Sequence, residues 1–148
     1  EILRCLVGSE MCIRDRVITM SSIQGYKMKE YSMPTKRYCQ TLSLKNNPIL
    51  IEEYRKIHSE EKAWPEIRAG IRAVGILEME IYILGSQLFM IIETPLDFDW
   101  EIAMDKLSNL PRQAEWEKYV SKFQDCPYLS SSAEKWKLME RMFYLYED

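Results

Sequence analysis

The chain has 148 residues, with 20 Lys plus Arg against 23 Asp plus Glu and a formal charge of −3. That length suits one domain, and a 47% hydrophobic share with nine Tyr, four Trp and four Phe supplies a core, which excludes a disordered or low-complexity chain. Mixed charge signs leave no basic footprint for nucleic acid, and no run approaches the ~20 apolar residues of a membrane span.

Residues 1–19, EILRCLVGSEMCIRDRVIT, show no helical or strand period and resemble translated sequencing-adaptor sequence. The apolar run from Cys5 to Val7 is too short for a signal peptide. The segment is read as a non-native leader, with Met20 as the expected start. Residues 20–36 read as a polar, mobile arm, and residues 37–148 as the folded domain. Beyond the leader only Cys39 and Cys126 remain, with no C-x-x-C spacing. Reduced, packed thiols and a cytoplasmic location are expected, and no metal centre.

Arg37 to Leu44 alternates in period two, which predicts a strand. Asn47 before Pro48 predicts a capped helix start, and Leu50, Tyr54, Ile57, His58 and Glu61 recur on one face of that helix. Trp64-Pro65 breaks the run and restarts it, with Ile67, Ile71 and Val74 as a second stripe ended by Gly75. Ile76–Leu84 and Gln87–Thr94 flank Gly85-Ser86, the signature of a two-residue II′ hairpin. In its first strand Leu77, Met79, Ile81 and Ile83 share one face, and Glu78, Glu80 and Tyr82 the other. A helix is predicted from Asp99, with Trp100, Ala103, Met104 and Leu107 as its stripe. Pro111 is predicted to open another, with Trp116, Val120 and Phe123 on one side. Asp125–Ala133 reads as a loop and Met139–Tyr146 as the final strand. The order β-α-β-β-α-β is that of a ferredoxin-like α+β fold, a four-stranded antiparallel sheet with helices on one face. By analogy with that fold, the uncovered face is expected to meet the sheet of a second copy in a dimeric α+β barrel.

His58 is the only histidine, one helical turn after Tyr54, and an imidazole exchanges protons near neutral pH. Taken singly, a histidine on an apolar stripe is more often a packed residue. Trp64, Trp100 and Trp116 occupy core-packing positions, and Glu78 and Glu80 read as a solvated strand face. No nucleophile elbow, phosphate loop, dinucleotide fingerprint or zinc spacing is present.

From Arg37 to Tyr146 the chain resembles the L-rhamnose mutarotase family. The matching pieces run in order: RYCQTLSL, then Pro48, Tyr54 and His58, then Trp64-Pro65-Glu66. Gly75 before the EIY strand, LFMIIET, Trp116 with Lys118-Tyr119, and MFYLY complete them. The resemblance implies a homodimer without metal or cofactor that interconverts the α and β anomers of a 6-deoxyhexose, L-rhamnose first and L-fucose next. It implies that His58 is the acid–base residue, read here as proton donor to the ring oxygen, with Tyr54 holding it or a sugar hydroxyl. It also implies that Trp116 offers a flat apolar face to the sugar. Three positions depart from the family pattern: the gap from His58 to Trp64 is longer, Glu117 replaces the second of a tandem Trp pair, and Met79 replaces a sugar-contacting tyrosine. Glu80 or a water is the expected base. Two readings of other classes stand beside this one, a cofactor-free monooxygenase of the dimeric α+β barrel group and a non-catalytic sugar-binding module.

Overall fold

The computed structural model describes residues 25–59, 62–126 and 132–146, so the leader and its boundary at Met20 lie outside the described residues. Residues 25–30 form no helix or strand. Strand β1, Thr35–Ser43, begins slightly before the alternation at Arg37. Its first residues find partners that the sequence pattern does not show. Thr35 Oγ1 donates to Glu93 Oε2 at 2.6 Å, and Lys36 Nζ donates to the Phe98 carbonyl at 2.9 Å. Tyr31, within the expected arm, donates its hydroxyl to the Leu77 carbonyl at 3.0 Å.

Helix α1, Pro48–Ile57, starts as its sequence dictates: the Asn47 side chain accepts from the amides of Ile49 and Leu50 at 2.9 and 3.3 Å. Such a cap is worth ~1 kcal/mol. His58 caps the other end. The helix therefore stops before Glu61, which lies outside the described residues. Helix α2, Pro65–Ala73, follows, and Gly75 at φ +101° then turns the chain. Strands β2, Glu78–Leu84, and β3, Gln87–Pro95, form the expected hairpin. Gly85 takes φ +62° and Ser86 a negative φ, as a II′ turn requires.

Helix α3, Trp100–Ser108, is capped by Asp99, whose side chain accepts from the Ile102 amide at 3.1 Å. Helix α4, Gln113–Ser121, does not open at Pro111, because Arg112 takes the left-handed conformation at φ 65°. A guanidinium held 4.0 Å over the Trp64 ring, with carboxylates of Glu66 and Glu115 at 3.6 and 3.4 Å, accompanies that strained backbone. A short helix α5, Ser132–Lys135, leads into β4, Lys137–Leu138.

The sheet is antiparallel, in the order β2-β3-β1-β4. With the helices this is the ferredoxin-like α+β fold. Residues opposite each other in register share a face. Leu42, Leu88, Met90 and Ile92 therefore lie together under Tyr54 of α1, Val120 of α4 and Phe123 just after it, forming the core. The opposite face carries Arg37, Cys39, Glu80, Tyr82, Phe89, Ile91 and Glu93. The expected strand over Met139–Tyr146 needs correction. Pairing with β1 covers Lys137 and Leu138 and ends with the Met139 amide donating to the Cys39 carbonyl at 2.8 Å, and Met142, Phe143, Leu145 and Tyr146 stay exposed. The alternation of that segment signals side chains suited to burial, but among the described residues no second surface covers them.

Candidate active site

Two side chains at i and i+4 must share a helix face, and α1 places Tyr54 and His58 with ring centroids 4.4 Å apart. Because α1 ends at Ile57, the His58 amide turns back to the Arg55 carbonyl at 3.2 Å. The Tyr54 carbonyl is then met by the His58 side chain, with Nδ1 at 2.8 Å. A carbonyl only accepts, so Nδ1 carries the hydrogen and the neutral imidazole keeps its lone pair on Nε2. Burial pushes the His58 pKa below the ordinary 6.5, and the Arg68 guanidinium pushes the same way, while the bond to Tyr54 opposes them. At neutral pH His58 is an uncharged base.

Tyr54 is buried, and desolvation pushes its phenol up to about 12, with smaller contributions in the same direction from Glu117 and Cys126. It therefore keeps its proton throughout the physiological range. Gln124 Nε2 donates to the Tyr54 hydroxyl oxygen at 3.4 Å, so the hydroxyl's own proton is directed elsewhere. One group that takes a proton and one that offers one thus stand a helical turn apart.

An aromatic wall flanks them. The half-buried Trp116 ring meets His58 edge-on at 5.4 Å, and Trp64 meets Trp116 at 5.2 Å. Trp64 also stacks on Tyr119 at 5.6 Å, and the Arg112 guanidinium lies over the Trp64 ring at 4.0 Å. The left-handed turn at Arg112 and the Trp64-Pro65 break, two apparent irregularities, thus build one wall.

Of the residues singled out in the sequence, Tyr54, His58 and Trp116 come together. Met79 packs at the border of the core that contains Tyr54. Glu80 does not join them: strand alternation puts it on the opposite face of β2 from Met79, where its Oε2 accepts from the Tyr82 hydroxyl at 3.3 Å. Glu117, which the sequence resemblance sets at the place of a second tandem Trp, is tied down by Lys135, whose Nζ lies 2.8 Å from its Oε1 and 2.9 Å from its carbonyl. Gln113 Nε2 takes the other carboxylate oxygen at 2.6 Å. Gln124 and Lys135 are not legible in the sequence, since a polar residue among loop and helix-end residues carries no signal of deep burial. Among the described residues no group of three His, Cys, Asp or Glu is placed to hold a metal ion, and no helix is long and apolar enough to cross a membrane.

Comparison with known proteins bears on this arrangement. A profile of the L-rhamnose mutarotase family matches residues 37–145. A UPF0734 protein of Dictyostelium discoideum is 37% identical over 115 residues, covering 74% of this chain and 90% of that protein. An L-fucose mutarotase of Xanthomonas campestris pv. campestris is 32% identical over 115 residues, covering 78% of this chain and 92% of its own. The crystal structure of an L-rhamnose mutarotase from Formosa agariphila superposes with a TM-score of 0.56 at 19% identity, over 75% of this chain and 99% of that one.

Proposed function

Because the chain belongs to the L-rhamnose mutarotase family, we propose that His58 and Tyr54 exchange the α and β anomers of a 6-deoxyhexose, L-rhamnose first and L-fucose second. The reaction asks for one proton acceptor and one donor across a sugar-sized site, each typically worth ~10²–10⁴-fold. Neutral His58 takes the proton of the anomeric hydroxyl through Nε2. As the C1–O5 bond breaks, Tyr54 gives its proton to the ring oxygen, leaving an open-chain aldehyde. Rotation about C1–C2 presents the other carbonyl face. Tyrosinate then recovers its proton from the C5 hydroxyl as that oxygen closes on C1, and the imidazolium returns its proton to O1. No atom is gained or lost. These roles exchange those expected from the sequence, where His58 was the donor, and they leave Glu80 outside the reaction. Trp116 supplies the flat apolar surface for the sugar's C–H patch and methyl group, and Met79 lies at the border of the site.

The observation that carries this reading is the 2.8 Å contact of His58 Nδ1 with the Tyr54 carbonyl, which fixes the tautomer of a base on an aromatic-walled helix end. Saturation-transfer NMR between anomeric protons tests it. Exchange above the buffer rate is expected for L-rhamnose, L-fucose or both. Binding without exchange would return the chain to a sugar-binding module.

We further place the protein in the cytoplasm as a homodimer. Cys39 and Cys126 are free thiols, which suits a reducing compartment. One sheet face has no helix packed on it among the described residues, with Phe89 38% exposed there, and the apolar side chains of residues 142–146 are uncovered. A stable interface buries ~1,600 Å² in total, enough for the dimer to survive micromolar dilution in light scattering. A monomer at that concentration would refute the paired-sheet assembly.

A further inference from the structure

Gln124 is 2% exposed, yet its Oε1 is buried and accepts no hydrogen bond. A buried acceptor left without a donor forfeits the hydrogen bond water would have given it, and native chains retain few of them. Turning the amide over does not remove the problem. The Tyr54 hydroxyl then donates to the oxygen, and the amino group is the one left over. Whichever way the amide lies, one end meets Tyr54 and the other is unmatched. The rest of the neighbourhood does not share this defect: the carboxylate oxygens of Glu117 are held by Lys135 and Gln113. Nor is Gln124 a loose surface residue, because backbone bonds between its neighbours and the end of β1 and the residues just after it fix its place. The Asp125 amide donates to the Ser43 carbonyl at 2.9 Å, and the Lys45 amide to the Phe123 carbonyl at 2.9 Å.

We propose that Gln124 is a specificity-determining residue whose open amide end takes a ring hydroxyl of the bound sugar while its other end holds Tyr54. This deepens the mutarotase reading and rests on it. The unmatched atom lies beside the phenol that serves the ring oxygen, so the hydroxyl it meets belongs to the same sugar. It is also already dry. The water that a polar group normally sheds on binding has been removed by folding, so a sugar hydroxyl reaching it gains a hydrogen bond without that opposing loss. The oxygen is closed to water in the sugar-free chain, so side chains must shift to admit the hydroxyl. A sugar whose hydroxyl is missing at that position leaves the amide as unmatched as before, and it is the sugar the site should reject.

The test is a cycle of variants and sugars. Anomer exchange is measured by saturation-transfer NMR for L-fucose, L-rhamnose and their analogues lacking one ring hydroxyl in turn, with wild type, Gln124→Met and Gln124→Glu. Gln124→Met should lose roughly tenfold or more on a parent sugar, mainly in KM. It should lose nothing further on the one deoxy analogue that wild type already handles poorly. Sugar-free Gln124→Met should melt no lower than wild type, since an unmatched amide has been removed, while its melting shift on adding sugar shrinks. Should that variant not fold, Gln124→Glu has the same reach and keeps an acceptor, so it should retain the discrimination against that analogue. Equal loss on every sugar, deoxy analogues included, would mean that Gln124 only supports Tyr54, and the proposal falls. So it does if Gln124→Met leaves the ranking of the sugars unchanged, or if Gln124→Glu loses the discrimination. Wild type without exchange on any sugar would overturn the mutarotase reading itself and this one with it. Exchange by wild type with uniform variants overturns this one alone.

Discussion

Two buried polar clusters, one on α4 and one at the end of α1, are built to opposite plans. At Glu117 an acid and a buried ammonium meet at 2.8 Å, with a second donor from Gln113 on the remaining oxygen. At Tyr54 a phenol, an imidazole and an amide are brought together with less than their full complement of partners. The first cluster ties α5 to α4 and leaves little for a ligand to satisfy. The second keeps a base lone pair, a phenol proton and an amide end available. Matched polar groups hold a fold together, while incompletely matched ones can bind and react.

Four experiments bear on that contrast, and the largest effect should come from the matched cluster. Lys135→Met leaves the Glu117 carboxylate without its cation in a closed site, so unfolding free energy should fall by about 3–5 kcal/mol. Denaturant titration reads this directly. Lys135→Met combined with Glu117→Leu should recover most of the loss, because two apolar groups replace two charges. Exchange per folded molecule should stay near wild type in both. If the double variant is no more stable than the single, the ion pair is not what Lys135 contributes.

His58→Asn should do the reverse. Exchange should drop by at least ~10²-fold while the thermal midpoint and sugar binding persist. Activity within a few-fold of wild type would remove His58 from the reaction. Next comes the sugar panel. The resemblance sets Met79, a flexible apolar chain, where the family pattern has a sugar-contacting tyrosine, and on that reading one hydrogen-bonding partner for the sugar is gone. L-rhamnose, L-fucose, L-mannose and L-galactose should then differ by ~10–200-fold and not all-or-none. A response to L-rhamnose alone would contradict the argument from Met79.

The smallest effect is in pH, and its sign separates the two possible roles of the imidazole. Burial holds the His58 pKa below 6.5, so a base remains neutral above that value and becomes protonated as pH falls through its lowered pKa. Enzyme-catalysed exchange, after subtraction of the buffer rate, should be level from pH 7 to 8 and decline only on the acid side, with a midpoint under 6.5. A histidine donor would give the opposite slope, with loss as pH rises. Stability should follow the same acid limb: the unfolded chain protonates its histidine first, so the folded state is disfavoured progressively below the ordinary histidine pKa.

Local chemistry made much of this molecule readable in advance. Asn47-Pro48, Gly75, Gly85-Ser86 and Asp99 each specify a cap or turn within a few residues, and each is where the pattern put it. Tyr54 and His58 were readable as a pair because i and i+4 share a face. The opposite faces of Met79 and Glu80 were equally readable, and period-two alternation alone argues against placing both at one site. What the chain order hides is partnership at a distance. Lys135 meets Glu117 across 18 positions and Gln124 meets Tyr54 across 70. The last strand is short for the same reason, since an alternating segment does not say which surface it will lie against.

The end of α1 has a consequence for how this chain can change. In an uninterrupted helix the His58 amide would occupy the Tyr54 carbonyl, and the imidazole would have to seek another neighbour. Here the peptide steps aside to Arg55, and the vacated oxygen selects the ring tautomer. Helix length and proton inventory are therefore a single inherited trait. Substitutions after Ile57 that raise helix propensity, normally a safe route to a sturdier protein, would extend α1 by one hydrogen bond and erase the bias that keeps Nε2 bare. Laboratory stabilisation and natural drift face the same boundary, where a weaker helix end is the condition for a competent base.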